Sequence, residues 1–168
     1  MTLDQKLRQT MRLWATGVTI VSACHEDVLR GMTVSSFTSV TLDPPLVLVC
    51  LQKDKETAEV ILASKAFSVS MLGEQHREIS NLFAGFGPEL PQEANRFDGL
   101  ALEYALTGSP ILSDAMGWLD CKLHAVYDGS THHIFVGEVV AASGASDDIK
   151  QPLLYYNRAY RKLGELLD

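Results

Sequence analysis

Gly31-Met32-Thr33-Val34-Ser35-Ser36-Phe37-Thr38-Ser39-Val40-Thr41-Leu42-Asp43-Pro44-Pro45-Leu46-Val47-Leu48-Val49-Cys50 crowds short hydroxyl side chains together, stops at an Asp-Pro-Pro corner and restarts as an apolar run. Pro44-Pro45 forbids helix and interrupts ladder pairing, so the segment reads as strand, corner, strand. Leu46 to Leu51 has the composition of a strand buried on both faces. Hydroxyls and backbone N–H groups beside a core strand need partners. Such a segment can line a groove for a planar, hydrogen-bonding ligand that carries a phosphate tail.

Outward from this stretch the chain stays rich in strands. Thr16 to Ala23 is β-branched and alternating; the polar His25-Glu26-Asp27 marks a turn; Val28 to Val40 reads as a second strand interrupted at Gly31. Ala66 to Leu72 alternates with Phe67, Val69 and Met71 on one face. Met116 to Tyr127 and His132 to Ala142 flank Asp128-Gly129-Ser130-Thr131 as a long hairpin. Helical spacing occurs at Leu3, Leu7, Met11 and Trp14, over Lys55–Ser64 with Asp54 as the expected cap, and from Gln75 to about Ala84. The Gly/Pro-rich residues 85–95 are too long for a tight turn and read as a lid or subunit contact. The tail closes on Pro152-Leu153-Leu154-Tyr155-Tyr156 and a basic stretch, Arg158 to Lys162. No strand-then-helix alternation is present, so the expected fold is mainly β, an antiparallel barrel with a few short helices.

Composition narrows the function. The 168 residues suit one domain, residues 1–168, with an N-terminal helix over 1–14 and a barrel core over 15–160. A net charge of −7 without clustered Lys and Arg argues against a nucleic-acid partner. No apolar stretch reaches bilayer length and the N-terminus lacks an apolar signal core, so no membrane contact is expected. Cys24, Cys50 and Cys121 are scattered in apolar sequence, the pattern of reduced, buried thiols in a cytoplasmic protein. His124, His132 and His133 lack the ligand spacing of a zinc site, and no metal is expected. There is no P-loop and no Gly-x-Gly-x-x-Gly.

Four landmarks in order resemble the short-chain flavin reductases, the flavin reductase-like family that supplies reduced flavin to two-component monooxygenases. They are Trp14-Ala15-Thr16-Gly17-Val18-Thr19-Ile20-Val21; the Gly31–Cys50 segment; Phe67-Ser68-Val69-Ser70-Met71-Leu72 with Ser80-Asn81-Leu82-Phe83-Ala84; and His132-His133-Ile134-Phe135-Val136-Gly137-Glu138-Val139. The likeness runs from about Met11 to Tyr160. It implies a split β-barrel that binds FMN or FAD, works as a homodimer and takes NADH or NADPH as co-substrate. It places the flavin along Thr33, Val34, Ser35, Ser36 and Phe37, past Ser39, against Cys50, Leu51 and Phe83, with its phosphate at Lys53, Lys55 and Thr57. It places the nicotinamide at Thr16, Gly17 and His132.

The implied reaction is hydride transfer to flavin, needing no acid–base side chain, followed by delivery of reduced flavin to a partner monooxygenase. A non-catalytic flavin store or sensor on the same barrel is the alternative; the nicotinamide positions Thr16, Gly17 and His132 speak for the reductase. Relatives often carry Ser between the positions of Lys53 and Thr57, where this chain has Asp54 and Glu56. Two carboxylates beside a phosphate are unfavourable unless they face solvent or a cation neutralises them. Arg96 is a further candidate for a phosphate or for an acidic neighbour. His133 faces away from His132 on any strand. Trp14 and Trp118 read as core or dimer residues.

Overall fold

A computed structural model of the chain describes residues 1–87, 95–144 and 151–165. In chain order the elements are α1 (Leu3–Met11), β1 (Thr16–Gly17), β2 (Thr19–His25), β3 (Val28–Val34), β4 (Thr38–Leu42), β5 (Pro45–Gln52), α2 (Glu56–Ser64) and β6 (Ala66–Met71). They continue with a 3₁₀ turn at Glu74–His76, α3 (Arg77–Phe83), β7 (Leu102–Tyr104), β8 (Pro110–Leu112), β9 (Gly117–Gly129), β10 (His132–Ala142), β11 (Leu154–Tyr156) and β12 (Ala159–Arg161). Seven strands form one sheet in the order β3-β2-β6-β9-β10-β5-β4, and all their pairings are antiparallel. Small sheets β1-β11-β12 and β7-β8 flank it. The expectation of a mainly β protein with short helices holds.

Period-2 burial explains how one sheet supports two cores. Val21 of β2 joins Val49, Leu51, Phe67, Val69 and Phe135 with Ala58 and Ile61 of α2. Its neighbour Ile20 faces the other way, toward Leu72, Phe83, Phe97, Leu112 and Leu153. The strands buried on both faces are therefore β2, Thr19 through Ala23, and β6, Ala66 through Ser70. This corrects the reading of Leu46–Leu51: β5 alternates, with Val47, Val49 and Leu51 buried and Leu46, Leu48 and Cys50 only partly so.

The interruption expected at Gly31 within a Val28–Val40 strand is also corrected. β3 runs through Gly31, and the chain breaks instead at Ser35–Phe37 into β3 and β4, which lie at opposite edges of the sheet. Asp54 does not cap α2; Lys55 holds the N-cap in an extended conformation and supplies no side-chain bond. Helix α1 does begin on a capping box, Thr2 with Gln5. Yet none of its residues is buried, and Leu3, Leu7, Met11 and Trp14 are all exposed. Trp14 is thus not a core residue of the single chain, and Trp118 is half-buried. The 85–95 loop expectation rests largely on residues 88–94, outside the described residues.

Cys121 lies fully buried on β9, and burial, then the Asp120 charge, pushes its thiol up to about 12. The folded thiol therefore keeps its proton where an unfolded one loses it. That contribution to stability is complete below the ordinary thiol range and fades as the pH rises toward 12. Cys121 is expected to resist a disulfide-exchange reagent at mildly alkaline pH and to react only once urea unfolds the chain. Labelling in the folded state would show the burial to be wrong.

Candidate flavin site

Five segments enclose a cavity of about 790 Å³: Leu29–Thr33 of β3, Gln52 at the end of β5, Asp54–Thr57 entering α2, Phe83–Gly85 leaving α3, and Asn95–Phe97. The entrance to α2 gives it an anion-binding end. Because Lys55 offers no cap, the backbone N–H groups of Glu56 and Thr57 make no hydrogen bond among the described residues. A helix N-terminus with unpaired donors and a positive dipole end attracts a phosphate. Thr57, only 4% exposed, adds a hydroxyl to the same wall.

Gly31 makes the opposite wall a close cradle. A Cβ there would lie 2.8 Å from Phe97 Cζ, 3.0 Å from Phe83 Cε1 and 3.1 Å from Ser22 Oγ. Ser22 Oγ is itself buried without a partner among the described residues. Phe83 and Phe97 meet edge to face with centroids 4.8 Å apart.

The charges around the cavity settle the position of the acidic pair. Glu56 is ion-paired with Arg30 from β3, and Asp54 lies 3.9 Å from Lys55 Nζ. Each carboxylate is thus answered by a cation of the same wall. With Arg96 the lining carries three cations against two carboxylates among the described residues. Lys53, expected at the phosphate, is turned elsewhere: its ammonium pairs with Asp128 at the β9–β10 turn. That hydrogen bond and charge hold the Asp128 carboxyl below the usual carboxylate range.

The other sequence-chosen residues divide by burial. Thr33, Lys55, Thr57 and Phe83 line the cavity together. Val34 and Leu51 point into the core, so only their backbone can face a ligand. Two hydroxyls are already committed: Thr33 Oγ1 donates to Ser80 O at 2.6 Å, and Ser36 Oγ donates to Cys50 O at 2.9 Å while accepting from Cys50 N–H at 3.1 Å. Both hydroxyls thus bond within the protein. What remains free is backbone: the N–H groups of Ser35, Ser36 and Phe37 make no hydrogen bond among the described residues. Three successive donors between two strands suit the polar edge of a planar ring.

Ser35 and Ser39 are exposed and Cys50 is half-buried, its thiol pushed up by desolvation and so not a nucleophile. His132 pairs across β10–β5 with Gln52, a lining residue, but does not itself line the cavity; its Nδ1 lies 2.9 Å from Thr131 Oγ1. His133 turns the other way and packs its ring 5.3 Å from Phe135. Thr16 and Gly17 lie just before the Thr19–Val34 pair, toward the end of β3 that runs into Ser35–Phe37. Sequence reasoning missed Arg30, Gln52, Asn95 and Phe97. Nothing local marks them, since strand pairing and the return of the chain at Asn95 bring them to the cavity. No cluster of three or more metal-ligating side chains occurs among the described residues.

The likeness to known proteins agrees with this geometry. The family model described as flavin reductase like domain matches residues 11–164. The chain is 33% identical over 153 residues to the reductase subunit HsaB of a flavin-dependent monooxygenase from Mycobacterium tuberculosis, covering 91% of this chain and 79% of that protein. It is 33% identical over 159 residues to the FMN reductase (NADH) RutF 2 of Rhizobium rhizogenes, covering 95% and 88%. Among solved structures, the NADH:FAD oxidoreductase SgcE6 of Streptomyces globisporus superposes with a TM-score of 0.86 at 32% identity, covering 98% of this chain and 95% of that one. With its split-barrel architecture, its open row of backbone donors and its uncapped helix entrance, the chain belongs to the flavin reductase-like family.

Proposed function

We propose that this chain is an NAD(P)H-dependent flavin reductase, moving a hydride from a reduced nicotinamide to FMN or FAD and passing the reduced flavin to a partner monooxygenase. The observation that carries the reading is the pairing of unbonded N–H groups at Glu56–Thr57 with unbonded N–H groups at Ser35–Phe37. They match the two polar ends of a flavin nucleotide, a phosphate and a ring edge. When bound, the nicotinamide supplies two electrons as hydride and the flavin ring accepts them.

The protein's task is placement. Backbone donors at Ser35–Phe37 hold the ring edge and favour the negative charge that develops on it. Thr57 and the α2 entrance hold the phosphate, and the Gly31 cradle lets the tail pass close to β3. His132, paired with the lining residue Gln52, orients the nicotinamide over the ring. The open surface at Ser35 and Ser39, together with the exposed apolar face of α1, supports a homodimer that completes the ring end of the site. Three free cysteines support a cytoplasmic setting. Among the described residues no helix is long and apolar enough to cross a membrane.

Aerobic oxidation of NADH or NADPH, followed at the nicotinamide absorbance band, is expected only when FMN or FAD is present. Absence of flavin-dependent oxidation with either nucleotide would sink the reading. His132→Ala is expected to raise the KM for the nicotinamide up to about tenfold, the loss of one hydrogen bond, with flavin affinity changed less than about twofold. If flavin affinity collapses instead, His132 belongs to the flavin end.

A further inference from the structure

One row of cross-strand partners runs through the small sheet β1-β11-β12. Thr16 pairs with Tyr155, and Tyr155 pairs with Tyr160. The two tyrosine rings meet edge to face with centroids 5.6 Å apart. The row ends on helix α3. Tyr160 Oη donates to Asn81 Oδ1 at 3.0 Å and lies 2.9 Å from Ser80 Oγ, while the Arg77 guanidinium stands 5.9 Å from the ring centroid. Arg77, Ser80 and Asn81 sit at i, i+3 and i+4, so one side chain grips one face of the helix. The single phenolic proton goes to Asn81, and Ser80 therefore donates to Tyr160. Ser80 is fully buried, and its carbonyl accepts from Thr33 Oγ1 at 2.6 Å. Thr33 lines the cavity.

We propose that Tyr160 is a positioning residue for the hydride step. It ties the strand carrying the nicotinamide positions Thr16 and Gly17 to the wall of the flavin cavity, and so fixes how the two rings meet. The inference rests on the flavin reductase reading and adds a residue outside the cavity lining. The three-stranded sheet is separate from the seven-stranded one. Backbone bonds from Val18 N–H to Leu153 O, from Leu153 N–H to Leu72 O and from Leu72 N–H to Val18 O join one corner of it to the body. Tyr160 attaches the outer strand, β12, to α3. Two attachments fix an orientation where one leaves a hinge. The Ser80 hydroxyl has no other partner among the described residues, so losing Tyr160 Oη leaves it unsatisfied and loosens the second attachment. Hydride transfer is steep in geometry, and a 1 Å misplacement can cost roughly a hundredfold in rate. Binding of either ring by itself is far less sensitive, because alignment matters only in the transition state.

Tyr160→Phe keeps the ring and removes only the hydroxyl. The test is single-turnover reduction of flavin on the full chain, read as bleaching of the flavin band on mixing with NADH or NADPH, alongside steady-state kcat and KM. The hydride rate is expected to fall about tenfold, with flavin affinity and the nicotinamide KM changed less than about twofold. Ser80→Ala should lower the rate in the same direction. The double variant Ser80→Ala/Tyr160→Phe should fall no further than Tyr160→Phe alone, because both changes remove one bond. It also leaves no Ser80 hydroxyl without a partner, so it reports the rate even where Tyr160→Phe folds poorly. An unchanged hydride rate with a lower urea midpoint would make Tyr160 a structural residue only and overturn the inference. A raised KM at constant rate, or rate losses that add in the double variant, would overturn it too. Each of these leaves the reductase standing. If the unmodified chain reduces no flavin with either nucleotide, the reductase reading falls and this inference with it.

Discussion

Gly137→Val is expected to cost at least about 3 kcal/mol of stability and to leave little folded protein at physiological temperature. A Cβ on Gly137 would stand 2.5 Å from Phe67 Cζ, 2.8 Å from Phe67 Cε1 and 2.9 Å from Cys121 Cβ. None of these neighbours can give way. Phe67 is fully buried among Val21, Val49, Val69 and Phe135, and Cys121 is fixed in the backbone of the adjacent strand. Interiors packed to crystal density have no vacant volume for a displaced ring. The β9–β10 register shifts at Val136/Gly137, so the bulge and the ring beneath it form one arrangement. A urea midpoint within experimental error of the unmodified chain would show that the core at Phe67 is looser than its geometry.

Gly31→Val should behave differently, although its clashes look similar. The atoms it meets first are the far ends of Phe97 and Phe83, both on the cavity wall. Both rings border the cavity as well as the core, so stability should fall by about 1–3 kcal/mol. The cost lands on function: the new side chain occupies space a flavin tail needs. Flavin affinity is expected to fall at least about tenfold, and a small hydrophobic overfill accounts for that much. Urea denaturation and flavin titration on the same variant separate the two effects. Undiminished flavin binding would mean that the ligand does not pass Gly31. The contrast between the two glycines is one of surroundings, since valine adds the same atoms at both.

Much of the fold was readable from local pattern. β-branched alternation marked β2 and β6, the double run around Ser130-Thr131 marked the β9–β10 hairpin, and the spacing of Leu3, Leu7 and Met11 marked α1. The errors came where periodicity is silent about neighbours. Leu46–Leu51 is the more apolar run, yet Thr19–Ala23, with Thr19 and Ser22 in it, is the one covered twice: β2 lies between two cores, Val21 in one and Ile20 in the other, whereas β5 places only Val47, Val49 and Leu51 in a core. Asp54 had the right chemistry for a cap, but the chain turns so that Lys55 enters the helix first.

For the site, the hydroxyl-rich run after Gly31 and the Lys53–Thr57 segment were visible in sequence because their residue types are unusual beside a core strand. What each group does was not visible. The hydroxyls of Thr33 and Ser36 go to Ser80 and Cys50, Lys53 goes to Asp128, and the free donors are backbone N–H groups with no sequence signature. Residue order alone thus determined the strand-rich fold through local periodicity, and through motif resemblance it pointed to the family and to two candidate segments for a flavin. Tertiary structure alone decided the neutralisation of Glu56 by Arg30, the cradle at Gly31 and the size of the cavity toward Asn95–Phe97. Each depends on atoms far apart in the chain, and only packing sets the distances between them.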